Sequence, residues 1–250
     1  MGDLMRLNKF LSEAGVCSRR EADRLISSGD ITVNGAPTVV GMQVSAGDEI
    51  CYQGQLVIRE DKAVLLLFNK PRGIVCTAQK REKNNVIDYI NYPLRIYPVG
   101  RLDKDSQGLL LMTNQGDLVN KIMRAGNFHE KEYLVKVDKK ITKEFLTQMR
   151  SGVPILETVT RCCKVKRIDD YTFNIILTQG LNRQIRRMCE YLGYEVKQLK
   201  RIRVMNFELG ELVVGKYREA SAKEMAALGE ALKGSTSLPW NERDVNGQQT

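Results

Sequence analysis

The segment "GRLDKDSQGLLLMTNQGD", residues 100–117, places a polar loop directly before a continuous apolar run. The run "LLLMT" predicts a buried strand, because a short apolar run bounded by turn residues is typical of one. The loop before it carries two carboxylates, Asp103 and Asp105, beside an arginine. Glycines flank the loop, and we expect Gly100 and Gly108 to act as hinges that let Asp103 project.

Strand and helix patterns alternate through the rest of the chain without a regular period. The segments "AVLLLF" and "EYLVKV" predict strands, and residues 163–178 predict a hairpin that turns at Asp169-Asp170. We expect three helices to begin at side-chain caps, namely Thr142, Asn182 and Ser221. Because these elements do not form successive βαβ units, the sequence predicts an α+β fold rather than a doubly wound sheet.

The first 60 residues have the pattern of a small separate unit. Two amphipathic helices, the second opening with a capping box from Ser18 to Glu21, precede a strand and an Asn34-Gly35 turn. We therefore predict three parts: a small domain at residues 1–64, a large domain at residues 65–232, and a polar, disordered tail at residues 233–250.

The charge is positive and unevenly distributed over the 250 residues. The net charge is +9, and residues 65–230 hold 30 Lys and Arg against 19 Asp and Glu, whereas residues 1–64 hold 7 against 9. Such an excess favours a polyanionic partner, more typically nucleic acid than a membrane. No apolar run approaches the length of a membrane span and the N-terminus lacks a secretory core, so we expect a cytoplasmic protein.

Several classes of site are disfavoured. The six cysteines are scattered without a C-x-x-C pair and His129 is the single histidine, so we expect free thiols and no metal site. No G-x-G-x-x-G motif or Walker loop is present, and His129 has no G-x-S-x-G partner. The remaining candidate for catalysis is an acid held by arginines.

Asp103 is the candidate acid. A guanidinium beside a buried carboxylate keeps it ionised, which suits a nucleophile or a base, although a structural salt bridge in a turn would use the same residues. Residues 179–188, "QGLNRQIRRM", begin a predicted helix whose N-terminus favours anions. Its Arg183, Arg186 and Arg187 form either a solvated face or a positive wall of a cleft.

A second basic cluster lies in the first 60 residues. Arg20 and Arg24 are four residues apart on one helix, so they share a face, with Arg19 beside them and Lys9 on the preceding helix. The cluster is either a solvated helix face or a site that binds RNA phosphates.

Three motifs together resemble a known family. The loop "GRLDKDSQGLLLMTN" and the segments "HEKEYLV" and "QGLNRQIRRM" occur in the order and at the separations found in the RsuA/RluB/RluF family of bacterial RNA pseudouridine synthases. The first 60 residues resemble the S4 RNA-binding domain attached to such enzymes. The resemblance spans about residues 5 to 230, and "NQGDLVNKIMRAGN" and "RMCEYLGYEVK" resemble the branch that modifies large-subunit ribosomal RNA.

The resemblance implies a bent mixed sheet with flanking helices, a central cleft and no cofactor. It implies that Asp103 is the essential aspartate, that Tyr133 stacks on the target base, that Arg186 pairs with Asp103 and that Leu177 lines the pocket. The residues that would lie along the RNA are Arg101, Leu102, Lys104, Arg183, Gln184, Ile185 and Arg187, with Lys9, Arg19, Arg20 and Arg24 in the S4 unit. It implies 23S ribosomal RNA as the substrate, with a tRNA as a further candidate substrate, and we expect a monomer.

The sequence leaves two other functions open. One is a non-catalytic S4-type RNA-binding or ribosome-assembly factor, which would have no use for a carboxylate set against arginines. The other is an RNA methyltransferase, for which the sequence offers no donor-binding loop. Within the first interpretation, Asp103 can attack the sugar, attack the base or remove a sugar proton.

Overall fold

A computed structural model describes residues 4–59, 62–79 and 81–235. The chain divides into two compact units, the first reaching Ala63 and including Pro93–Arg95, and the second formed by Val64–Tyr92 and the chain from Ile96 onwards. The greater part of the predicted tail, residues 236–250, lies outside the described residues. No helix within the described ranges is both long enough and apolar enough to cross a membrane.

The first unit packs two short helices against small antiparallel pairs of strands. Its elements are β1 (Met5–Arg6), α1 (Leu7–Glu13), α2 (Arg19–Ser27), β2 (Ile31–Val33), β3 (Ala36–Pro37), β4 (Gln43–Val44), β5 (Ile50–Tyr52) and β6 (Gln55–Leu56). Leu7, Leu11, Ala22 and Ile26 from the helices are buried against Ile31 and neighbouring strand residues. The helices therefore bury one face each, as their apolar spacing predicts.

The capping box predicted for α2 forms only in part. The Ser18 side chain accepts a hydrogen bond from the Glu21 backbone N–H at 3.2 Å. The Glu21 carboxylate instead accepts from Arg24 at 2.9 Å, one turn further along the helix. The neighbouring charge thus competes successfully for the carboxylate, and the prediction of a full box was wrong.

The second unit is built on one mixed sheet with helices. Its elements are β7 (Leu65–Lys70), α3 (Val86–Ile90), β8 (Tyr97–Pro98), β9 (Gln107–Thr113), α4 (Gly116–Met123), β10 (Lys131–Val137), α5 (Lys143–Ser151), β11 (Pro154–Ile155), β12 (Thr158–Val159), β13 (Lys164–Arg167), β14 (Thr172–Leu177), α6 (Gln184–Tyr191), β15 (Val196–Val204), β16 (Phe207–Glu208), β17 (Tyr217–Glu219) and α7 (Ala222–Ala231). A short 3-10 turn, Ala125–Asn127, lies between α4 and β10.

The strands of the main sheet follow the order β13-β14-β10-β15-β9-β7-β17. β9 and β15 run parallel, whereas the other neighbours along this order are antiparallel. This mixed sheet with helices confirms the predicted α+β fold. β7 is buried along its whole length and β9 along nearly all of it, which explains why the sequence shows continuous apolar runs there.

Gly108 is not a hinge of the loop, as the sequence suggested, but a residue of β9. Its φ is +111°, and an added Cβ would overlap the backbone of Arg201 on β15. The glycine therefore permits the close approach of the two parallel strands. Gly100 does fit the hinge prediction, with a φ of +76° in the segment that leads from β8 to the Asp103 loop.

Candidate active site

A cavity of about 340 Å³ opens beside the loop that carries Asp103. Its walls come from that loop, from β10, β14 and β15, and from the turn that enters α6. The side chains that matter chemically are Asp103, Lys131, Tyr133, Leu177, Arg183 and Arg201. The motifs at residues 100–117, 129–135 and 179–188 thus meet in one place.

Backbone hydrogen bonds fix the Asp103 loop. The Lys104 carbonyl oxygen accepts from the Gly73 N–H at 2.8 Å, and the buried Lys70 ammonium lies 3.5 Å from the same oxygen. The Ser106 N–H donates to the Asp103 carbonyl oxygen at 3.0 Å, which closes a tight turn. Leu102 is buried and anchors the start of the turn in the core. The loop therefore holds Asp103 at a defined position.

Two arginines flank the Asp103 carboxylate. Arg183 Nη1 and Arg186 Nε each lie 3.9 Å from its Oδ2 atom. The Arg186 side chain is 15% exposed, and it donates to the carbonyl oxygens of Val196 and Asp105. The Asp103 side chain is 32% exposed, so the carboxylate is only partly buried, less than the sequence predicted. Asp105 is exposed and contributes its main chain to this contact.

The start of α6 differs from the prediction. The residue before the helix is Arg183, with a φ of +50°, and no side chain caps it. Gln184 is buried and accepts a hydrogen bond from the Leu181 N–H at 3.1 Å. Asn182 accepts from Arg187 through its carbonyl oxygen and lies one residue too early to be the cap. The prediction that Asn182 caps α6 was therefore wrong, because the left-handed residue delays the helix by one position.

One face of the sheet supplies the remaining side chains. Lys131 and Tyr133 are two residues apart on β10, so both point to the same face. Leu177 on β14 pairs with Lys131, and Arg201 on β15 pairs with Tyr133. Cross-strand partners share a face, so the four side chains form one surface of the cavity.

Lys131 and Arg201 are cavity residues that the sequence reasoning missed. Lys131 is 4% exposed and Arg201 is 2% exposed. The signal for Lys131 was its spacing of two from Tyr133 in a predicted strand. Arg201 offered no local signal, because its position depends on a β-bulge in the pairing of β10 with β15.

The other residues predicted to lie along RNA occupy several environments. Arg101 and Lys104 are exposed on the Asp103 loop, and Arg187 is half-buried. Leu102, Gln184 and Ile185 are buried, so they line the cavity wall rather than an open surface. In the first unit the basic residues lie on α1 and α2: Lys9, Arg19, Arg20 and Arg24.

Pairing partners reduce the free charge of this first cluster. Lys9 lies 3.8 Å from Glu13, and Arg24 lies 2.9 Å from Glu21. Arg19 and Arg20 are exposed. Of the four, Arg19 and Arg20 are therefore the better placed to meet a phosphate.

Neither His129 nor any of the cysteines is among the residues that line the cavity. His129 Nε2 is 3.0 Å from Ser235 Oγ, and burial lowers the pKa of its imidazole. All six cysteines are free thiols. The described residues contain no group of three or more His, Cys, Asp or Glu side chains that could hold a metal ion.

Comparison with known proteins agrees with this geometry. Residues 64–191 match the family model described as RNA pseudouridylate synthase, and residues 5–50 match the S4 domain. The chain is 55% identical to the dual-specificity RNA pseudouridine synthase RluF of Salmonella typhi, over 93% of this chain and 81% of the relative. It is 40% identical to the ribosomal large subunit pseudouridine synthase B of Bacillus subtilis, over 89% and 95%.

A solved structure described as a pseudouridylate synthase also superposes on the chain. Its TM-score is 0.67 at 29% identity, and the match covers 90% of this chain and 99% of the other. The similarity therefore extends over both units and over the cavity motifs. The chain belongs to the RNA pseudouridine synthase family, and an S4 domain precedes its synthase domain.

Proposed function

We propose that this protein converts one uridine of a structured RNA to pseudouridine, with Asp103 as the catalytic carboxylate. The observation that carries the assignment is the Asp103 carboxylate between Arg183 and Arg186, in a cavity that Tyr133 also lines. The reaction breaks the N1–C1′ bond and joins C1′ to C5 of the same ring. No atom is gained, so the chemistry requires no cofactor.

Recognition of the target base uses the walls of the cavity. A base inside a folded RNA must leave its stack to reach a carboxylate in the wall of a cavity. Tyr133 stacks on the displaced base, Leu177 packs against it, and Arg186 places a fixed positive charge beside Asp103. Stacking on an aromatic ring is typical of RNA recognition and tolerates any base, because every base has a π-face. The exposed Arg101 and Lys104, with Arg183 and Arg187, contact the phosphates around it.

The substrate we propose is 23S ribosomal RNA, with a tRNA as a second substrate. The Salmonella typhi relative, at 55% identity, is named as a dual-specificity enzyme. A relative named for the ribosomal large subunit is 40% identical, whereas one from Pasteurella multocida named for the small subunit is 32% identical. The order of these identities supports a large-subunit target.

The two units have separate tasks in this proposal. Residues 1–64 form the S4 domain that grips RNA through Arg19 and Arg20, helped by Lys9 and Arg24, and residues 65–232 form the catalytic domain. We further propose that the protein is a monomer and acts in the cytoplasm, where its free thiols stay reduced.

The test is a map of pseudouridine in ribosomal RNA and tRNA from cells that lack the protein. We expect one position in 23S RNA, and one in a tRNA, to lose pseudouridine. Expression of the wild-type chain restores both positions, whereas the Asp103→Asn variant restores neither. Unchanged maps in the deletion strain, or full restoration by Asp103→Asn, would support a non-catalytic RNA-binding factor instead.

A further inference from the structure

Two buried cations, Lys131 and Arg201, face the cavity, and neither has an acidic partner among the described residues. The Lys131 ammonium makes one hydrogen bond within the described chain, to the His129 carbonyl oxygen at a long 3.4 Å. Arg201 donates through Nε to the Leu109 carbonyl oxygen at 2.7 Å, while its buried Nη2 finds no acceptor among the described residues. Burial, and then the charge of Arg201, lower the pKa of Lys131 to about 8.

On the opposite face of the same strands, a partly buried arginine does have acidic partners. Arg203 on β15 pairs with Glu132 at 2.6 Å and with Glu130 at 2.9 Å. On the cavity face, the one carboxylate among the lining residues is Asp103, which Arg183 and Arg186 already flank. Burying a charge without a partner costs free energy. Two neighbouring cations that lack an acidic partner in a cavity therefore indicate that an anionic group binds there.

A bulge creates this arrangement. Glu132 pairs with Arg203, but Tyr133 pairs with Arg201, so Ile202 is the extra residue of β15. In a regular ladder Ile202 would oppose Tyr133 and the Arg201 side chain would point to the other face. The irregularity therefore places Arg201 beside Lys131 and Tyr133, where the base is expected to stack.

We propose that Lys131, with Arg201 beside it, binds the uracil ring and stabilises the negative charge that the ring acquires during the reaction. This inference rests on the proposed function. When the N1–C1′ bond breaks, its electron pair stays with uracil and spreads from N1 onto O2 and O4. The C1′–C5 bond then forms, C5 loses its proton, and N1 gains one, so the atoms and charges balance.

The position of Lys131 favours the ring over a phosphate. Lys131 shares its sheet face with Tyr133 and is almost fully buried, whereas the exposed Arg101 and Lys104 lie where a backbone phosphate is accessible. Fixed donors aimed at developing charge act strongly in a site that excludes water. Lys131 is thus a further catalytic residue, and not a part of the RNA-binding surface.

The experiment compares Lys131→Met and Lys131→Gln with a control, Lys136→Met, whose lysine is exposed on the same strand. Single-turnover conversion of a uridine stem-loop is measured beside RNA affinity and melting temperature. We expect both Lys131 variants to slow conversion by about 10²- to 10³-fold, as for the loss of one preorganised donor. RNA affinity changes little, because phosphate contacts dominate it. The melting temperature stays equal or rises, because a buried charge is removed.

A second substrate separates charge stabilisation from simple packing. In 5-fluorouridine the fluorine withdraws electrons and makes the detached ring a weaker base, so the ring needs less help from a cation. We expect the rate loss of Lys131→Met, measured as rearranged fluoronucleoside, to shrink at least about tenfold on this substrate. An equal loss on both substrates overturns the proposal.

Other outcomes also decide the question. Conversion by Lys131→Met or Lys131→Gln at the wild-type rate overturns the proposal, and so does a loss confined to RNA affinity, which would assign Lys131 to a phosphate. Failure of the proposed function looks different, because the wild-type chain itself would then form no pseudouridine in any arm.

Discussion

Arg186 Nε lies 3.9 Å from Asp103 Oδ2, a separation too long for a hydrogen bond. The guanidinium is anchored elsewhere, by the carbonyl oxygens of Val196 at 3.2 Å and Asp105 at 3.3 Å. Its Nε is buried and has no hydrogen-bond acceptor in the described part of the chain. The Asp103 carboxylate thus lies next to a fixed positive charge without being bound by it, which suits a group that must react.

The two loop aspartates should respond differently to loss of charge. Asp103→Asn keeps the shape of the side chain and removes the reactive charge, so we expect conversion of a uridine stem-loop to fall by about 10⁴-fold with RNA affinity nearly unchanged. Asp105→Asn should keep most activity, because its contact with Arg186 is made by the main chain. Single-turnover assays on both variants test this assignment, and equal losses would refute it.

The pairing of β9 with β15 makes Gly108 a stability determinant. Gly108→Ala would force a methyl group into the Arg201 backbone at a φ of +111°, so we expect a loss of about 3 kcal/mol or more in the free energy of unfolding. Gly229→Ala is the control: that glycine lies within α7 with open space around it, and alanine should stabilise the helix by up to about 1 kcal/mol. Urea unfolding of both variants measures the contrast, and losses of similar size would show that the close approach is unimportant.

Local patterns predicted local structure well. Thr142 and Ser221 cap α5 and α7, and the Ser221–Glu224 capping box forms in full, because caps depend on contacts three residues apart. The hairpin at Asp169-Asp170 joins β13 to β14, as the turn residues predict. The order of the motifs also predicted that Asp103, Tyr133 and Arg186 lie near one cavity.

Features that depend on contacts between residues far apart in the chain could not be predicted from local sequence patterns. Gly108 looked like a loop hinge because its neighbour Arg201 is 93 positions away along the chain. Arg201 faces the cavity because of a bulge that no local pattern announces. Arg183 adopts a left-handed conformation that favours Gly, Asn or Asp, so the sequence pointed to Asn182 as the cap.

The basic cluster of the S4 unit is expected to contact phosphates. Arg20→Glu should flatten the dependence of RNA affinity on salt concentration by close to one unit in the logarithmic slope. The reason is that binding with one phosphate contact fewer releases about one counterion fewer from the RNA. Arg24→Glu should have a smaller effect, since Glu21 already pairs with Arg24 at 2.9 Å. The exposed Lys223 on α7 provides the charge-matched control, Lys223→Glu. If the slopes of all three variants match the wild type, the cluster is a solvated helix face.

Glu224 should make stability depend on pH. Hydrogen bonds from Arg218, and then from Ser221, lower its pKa from 4.5 to about 2. A lowered pKa in the folded state stabilises above pH 4.5, and this contribution is lost as the pH falls towards about 2. Because Arg218 is partly exposed, we expect Glu224→Gln to cost only about 1 kcal/mol at pH 7 and almost nothing at pH 2.

The control for this effect is the exposed pair of Glu230 with Lys233. Glu230→Gln should change the free energy of unfolding by only a few tenths of a kcal/mol at either pH, because solvent screens the pair. Urea unfolding at several pH values measures both variants. A pH dependence in Glu224→Gln identical to that of the wild type would contradict the assignment.

Tyr133 separates two roles that a stacking aromatic residue can have. Its ring is half-buried on the cavity face, opposite Arg201, and stacking is worth about 1–3 kcal/mol per base by alanine substitution. Tyr133→Phe keeps the ring, so it should bind RNA and break the N1–C1′ bond normally. Its turnover should be poor, by about 10²-fold or more, if the hydroxyl helps to remove the C5 proton. Tyr133→Leu should fail earlier, before any rearranged base forms.

Single-turnover product analysis distinguishes these steps. Turnover by Tyr133→Phe at the wild-type rate would exclude a role for the hydroxyl. Turnover by Tyr133→Leu at that rate would make Tyr133 a packing residue.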